Sequence, residues 1–232
     1  MKKILALFSA LIVMGGISFA GDFYNGDIQI QLGYGNNKAT IQDFNKDINA
    51  KEFNLGLQSY HLFKPWDIVG FGFMGGFNFG IGQTENWRQR GNVPGVTYED
   101  SISASLNFEF GPAIGLYIGK IVRLGFNIGY NAGWNFKEPS NYKYKIGYSQ
   151  ANGYTNLNAS YSGVSLGLQA KFLPNSKVNP VIGWRFVKGS ADKFEATTYD
   201  SEAYNNHSST ETISKTFDLT QNVLYAAISF SW

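Results

Sequence analysis

The chain has 232 residues, with 19 basic and 17 acidic side chains and no cysteine, which excludes a disulfide framework, a thiolate metal site and an anchor on an N-terminal lipidated cysteine. Its 19 Phe, 14 Tyr, 5 Trp and 27 Gly beside only 16% charged residues make an unusual composition for a water-soluble domain. Without Lys2 and Lys3 the charges balance, so no electrostatic case for nucleic acid as a partner is left.

Residues 1–20 have the three parts of a secretory signal: Lys2 and Lys3, an apolar run from Ile4 to Met14, and the small-x-small site Ser18-Phe19-Ala20. The run is too short to span a bilayer as a helix and Gly21-Asp22 follows it, so a cleaved signal peptide is expected, with residues 21–232 as one mature domain. No later stretch reaches the length of an apolar transmembrane helix. A membrane crossing would therefore need strands.

Strand signals follow in order, each with period-two alternation. The first holds Ile28, Ile30, Leu32 and Tyr34; the second holds Phe53, Leu55 and Leu57, with a break of parity near Tyr60 to Leu62 that predicts a bulge. The third, Val69 to Ile81, contains Gly70-Phe71-Gly72-Phe73-Met74-Gly75, formally a dinucleotide-type glycine pattern. That fingerprint needs a following helix, and here glycines continue through Gly76, Gly80 and Gly82, so relief of crowding inside a barrel is the better reading. From Ile102 to Ile118 the even positions are apolar and the odd ones polar or small. A tight connection at Gly119 to Val122 leads to Leu124, Phe126, Ile128, Tyr130, Ala132, Trp134 and Phe136, alternating with Arg, Gly and Asn. Three further strands run through Val164 to Phe172, Val178 to Phe186 and Leu224 to Trp232, for a total of eight.

Connections alternate in length. Short ones fall at Lys64–Asp67, Gly119–Val122 and Leu173–Lys177; long polar ones fall at Asn36–Ala50, Gln83–Asp100, Lys137–Asn156 and Gly189–Ile213. Short turns on one rim and long loops on the other predict an all-β fold, an eight-stranded antiparallel up-and-down transmembrane barrel. The volumes agree: bulky Phe, Leu, Ile and Trp suit a lipid-facing exterior, and Gly, Ser and Asn suit a narrow interior. Charge placement agrees too, because Glu109, Arg123, Lys171 and Arg185 all carry the interior parity. They are expected to form a polar lumen network, chiefly Glu109 with Arg185, that acts as a structural plug or lines a gated pore. Membrane-interface aromatics are expected at Trp66, Phe172 and Trp232 on the short-turn rim and at Tyr34, Tyr130 and Trp134 toward the other.

The last nine residues, Leu224 to Trp232, alternate to a terminal aromatic, which resembles the C-terminal strand signal of bacterial outer-membrane proteins. With the leader, the mature chain looks like a small outer-membrane barrel of the OmpX and Opa type. The resemblance implies a place in the outer membrane of a diderm bacterium, contact with outer-membrane lipid, and recognition of the strand ending at Trp232 by the barrel-assembly machinery.

Chemistry-bearing residues are sparse. Some outer-membrane barrels are lipid-modifying enzymes that use a His with a Ser and an acidic residue near the outer rim; here His61 sits beside a short turn, leaving His207 with Ser208, Ser209 and Glu211. A histidine at the tip of a polar loop is poorly held for general-base work, so no catalytic role is expected. Two histidines also make a poor metal site, and no cofactor is expected. The loops carry Trp87, Tyr98, Tyr142, Tyr144, Tyr148, Tyr154, Tyr199 and Tyr204, either as contact surfaces for an extracellular ligand or host molecule or as packing that prolongs the strands. The expected function is a non-enzymatic structural or surface-interaction barrel. A narrow porin-like channel for small solutes and an envelope-lipid enzyme are the alternatives.

Overall fold

The computed structural model describes residues 24–41, 46–85, 96–98, 101–146, 149–202 and 205–232. They form eleven strands: β1 Tyr24–Ile41, β2 Lys46–Trp66, β3 Val69–Thr84, β4 Val96–Tyr98, β5 Ser101–Ile118, β6 Val122–Ile146, β7 Ser149–Phe172, β8 Val178–Ala191, β9 Phe194–Glu202, β10 Asn205–Ile213 and β11 Phe217–Ser231. Eight of them, β1, β2, β3, β5, β6, β7, β8 and β11, close an antiparallel ring in chain order, with β11 pairing back onto β1. The others add to its outer end: β4 pairs with β6, β9 with β7, and β10 with β9.

The register fixes the tilt of the strands. From Ile28 the direct partners run through Ser59, Gly75, Phe110, Tyr130, Val164, Lys188 and Thr220 and return to β1 at Lys38, ten residues further along. A stagger of ten over eight strands, at the usual rise and spacing, tilts them by about 40°, so each residue climbs the barrel axis by about 2.5 Å.

Side chains divide as the alternation requires. Leu32, Phe53 and Leu224 are each more than 65% exposed on the outer wall, whereas Ser103, Asn107 and Asn131 are fully buried within. On β11 the apolar belt runs from Leu224 to Trp232 and on β8 from Val178 to Phe186, which at this tilt is a height of about 20 Å, close to that of an outer-membrane barrel.

Two expectations need correction. The long polar stretches are largely not loops: β1 runs on to Ile41 and β2 starts at Lys46, β6 reaches Ile146 with β7 from Ser149, and the stretch after Gly189 holds the end of β8 together with β9 and β10. Strands persist because alternation persists with the opposite sense. Ala39, Ile41, Ile48, Leu157, Phe194, Phe217 and Leu219 now point inward and pack together, while Lys38 and Asp47 pair outside at 2.7 Å. The second correction concerns β2, whose register is regular at Tyr60 and Leu62 and shifts only between Phe63 and Trp66. The apparent break of parity arises because Tyr60 and Leu62 are inward-facing, forming a small apolar cluster with Met74 and Ala113.

At the short-turn rim, Gly119 and Leu173 both have positive φ, 57° and 51°. Glycine adopts this freely; for leucine it costs about 1–2 kcal/mol. Leu173 is held there by its N–H donating to the Ile121 carbonyl at 2.7 Å and its carbonyl accepting from the Ser176 N–H at 2.9 Å.

Candidate functional site: the lumen and the outer sheet

The lumen is filled by polar side chains in layers. At the short-turn end Asp27 accepts two cations, Arg123 Nη1 at 2.8 Å and Lys171 Nζ at 2.9 Å, all fully buried. Gln29 donates to the same carboxylate at 3.0 Å, Arg123 also donates to Asn25, and Lys171 also donates to Ser231. At mid-height Glu109 accepts from Gln58 and from Asn78 (3.3 Å) and faces Arg185 at 3.8 Å. Higher still, Glu52 accepts from Asn37, Ser103, Ser105 and Gln221. Lys137 lies beside this group and donates to the Asn37 carbonyl at 3.0 Å.

Of the four lumen residues read from the sequence, Glu109 and Arg185 therefore face each other, while Arg123 and Lys171 belong to a separate centre around Asp27. Asp27, Glu52 and Lys137 were missed. Asp27 stands ahead of the first clear alternation, just after the leader, and Lys137 opens a stretch read as loop. Burying a lone charge costs several kcal/mol, so the layering keeps each carboxylate within reach of donors.

Above Glu52 the interior turns apolar. Phe194 and Phe217 meet with ring centroids 5.7 Å apart among Ile41, Ile48, Leu157, Tyr161 and Leu219, and together they cap the polar layers. Burial at this level pushes the Lys137 ammonium down to about 8 despite the opposing pull of Glu52. On the outer wall, hydrogen bonding from Lys38 draws the Asp47 carboxyl below its usual range.

The outer strands assemble into one sheet, β4-β6-β7-β9-β10, which gathers chain from three of the four stretches read as loops. Tyr154 and Tyr199 are register partners in it and stack at 5.1 Å. This pair stands about 25 Å beyond Val164, the last belt residue on β7. The backbones of Tyr98 and Tyr142 pair across β4 and β6, and Tyr144 pairs with Val96. The backbone of His207 lies opposite Asp200 in the β9–β10 hairpin. Trp87, Tyr148 and Tyr204 lie outside the residues whose side chains are described.

The interface aromatics spread over several depths. Tyr34 packs on Phe53 at the outer belt edge and Trp66 on Phe71 beside the β2–β3 turn, while Phe172 ends β7 at the short-turn rim. Trp232 is tied to β1, its N–H donating to the Gly26 carbonyl at 3.1 Å. Tyr130 sits within the belt, and Trp134 stands beyond it, its indole N–H donating to Asn158. Among the described residues no helix is long and apolar enough to cross a membrane, and no group of three or more candidate metal ligands occurs.

No family model matches the sequence, and no curated protein is similar to it at a significant level. Solved structures do match in fold. A major outer-membrane protein from Thermus thermophilus superposes with a TM-score of 0.51 at 8% identity, over 89% of this chain and 99% of that one. Ail, the attachment invasion locus protein of Yersinia pestis, matches at 0.37 and 15% identity over 88% and 99%, and Neisserial surface protein A at 0.39 and 11% over 88% and 96%. With a closed ring of eight strands, an apolar outer belt and a polar filled interior, the chain has the fold of a bacterial outer-membrane β-barrel.

Proposed function

We propose that this barrel is a non-enzymatic surface-interaction protein of the outer membrane, exported through a cleaved signal peptide, that meets an extracellular ligand or host molecule with its outer sheet. One observation carries the reading: chain from three outer stretches merges into the single sheet β4-β6-β7-β9-β10, held well clear of the belt. A sheet built on a closed barrel wall is preorganised, which lowers the ordering cost of binding. Its surface suits adaptable contact, with the stacked Tyr154 and Tyr199 beside the exposed Thr197–Thr210 hydroxyl pair.

Replacing residues 195–212 by a short Gly-Ser turn tests this. The ring does not use β9 or β10, so the barrel should keep its heat-modifiable folded form while cell-surface binding is lost. Unchanged binding in every surface assay would remove the proposal.

The channel alternative is disfavoured by the apolar cap over Glu52 and the ionic layer at Asp27, whose buried side chains occupy the lumen toward its two ends. Planar-bilayer recordings should show no steady conductance. A steady conductance that rises in Glu109→Gln would favour the pore instead.

A further inference from the structure

His61 lies on the outer wall of β2, where side chains face lipid, and it is not alone there. Its Nε2 is 2.8 Å from the Ser59 hydroxyl, and its Nδ1 is hydrogen-bonded to the Tyr24 hydroxyl. The ring also meets Trp232 edge-on at 6.3 Å. The Tyr24–His61–Ser59 chain holds three protons, one on each group, for two links. One hydroxyl therefore always lacks an acceptor within the chain.

Beside Ser59 the wall is indented. A groove of about 60 Å³ opens between Ile28, Leu57, Phe73, Phe77 and Phe110, with Gly75 as its floor. Nothing in the protein requires a glycine at this place. A Cβ on Gly75 would find its nearest neighbour, Phe110, at 3.5 Å, an ordinary contact, whereas at Gly26, also outward-facing, it would strike Trp232 at 2.6 Å.

The site also reaches the short-turn edge of the belt. Ser59 is the register partner of Ile28, where the belt of β1 begins, and Tyr24, four residues below Ile28, pairs with Phe63 near the β2–β3 turn. The lower end of the Tyr24–His61–Ser59 chain therefore stands toward the ester level of the inner leaflet.

We propose that the β1–β2–β3 face is a docking site for one diacyl glycerophospholipid of the inner leaflet. An acyl chain lies in the groove over Gly75, and an ester carbonyl accepts the spare hydroxyl of the Tyr24–His61–Ser59 chain. Depth selects this lipid, because the site faces the leaflet on the short-turn side. The chain has the order of a nucleophile, a base and an orienting group. It faces hydrocarbon without preorganised donors for an oxyanion, and so it holds the ester without cleaving it. The inference rests on the barrel spanning the membrane and is independent of the surface role.

Native mass spectrometry of the full-length mature barrel tests it, with the protein released from detergent after incubation with palmitoyl-oleoyl phosphatidylethanolamine or with its ether-linked analogue, which lacks ester carbonyls. One ester lipid should be retained per barrel. The ether lipid, and the ester lipid on Ser59→Ala, should each be retained about tenfold less, the value of one buried hydrogen bond. Gly75→Leu, which fills the groove and leaves the polar chain intact, should lose retention as well, while Phe79→Leu on the same wall should not. Heat-modifiability confirms folding of each variant. Equal retention of ester and ether lipids, or undiminished retention by Ser59→Ala and Gly75→Leu, would overturn the proposal. So would steady release of free fatty acid by the wild type, which would make the chain a hydrolase.

Discussion

The same strands obey opposite rules at two heights. In the belt, Ile30, Leu32 and Tyr34 of β1 face outward while Gln29 and Gln31 are buried; a few residues on, Lys38 faces outward while Ala39 and Ile41 are buried. The pattern of β2 inverts similarly, between Lys51 and Phe53 outside and between Ala50 and Glu52 inside. Alternation makes strands at both heights, and the solvent decides which set is apolar. One continuous wall presents an apolar exterior over its lower part and a polar exterior with an apolar interior over its upper part.

The contrast predicts which substitutions hurt at each height. In the belt the interior depends on charge pairing, so Asp27→Asn, which strips two buried cations of their counter-charge, should cost the most, about 3–5 kcal/mol by urea titration in lipid vesicles. In the upper part the interior depends on packing. There Leu219→Ala should cost about 3 kcal/mol, while Leu168→Ala on the lipid wall, where acyl chains refill the space, costs clearly less. Equal losses for the two leucines would break the distinction.

A charge probe sharpens it from outside. Phe77→Arg in the belt should cost about 2–4 kcal/mol, and Lys51→Arg above it close to nothing. Titration should single out the upper interior. Lys137 holds its proton less tightly when folded, near pH 8 rather than 10.5, so across that window the folded chain releases a proton that the unfolded chain retains. Stability should therefore rise with pH between those values, by up to about 3 kcal/mol, and the rise should vanish in Lys137→Met. The smallest effect is expected at the rim, where Leu173→Gly should stabilise by about 1 kcal/mol by relieving its left-handed backbone.

The belt was legible in the sequence because a lipid-facing set of Phe, Leu and Ile stands out against Gly, Ser and Asn. The upper strands were not, because the reading followed bulky apolar residues at the outward parity. Above Tyr34 those residues move to the inward parity and become Ala39 and Ile41, so strand looked like polar loop. Tyr60 and Leu62 misled in the same way, their inward apolar side chains imitating a slip of register. The Asp27 centre joins Asp27 to residues 96 and 144 positions further along the chain, a separation no local pattern encodes. His61 was placed at the right rim, but only the register brings Tyr24 to it.

The position of Asp27 also bears on how the molecule is made. Its carboxylate sits on β1, the first strand of the ring, its cations on β6 and β7, and Ser231, which shares Lys171, on the last strand. The centre is complete only once β11 has closed onto β1. The centre is then a latch that engages at the final step of assembly, and weakening it should hasten opening of the finished barrel far more than it delays insertion.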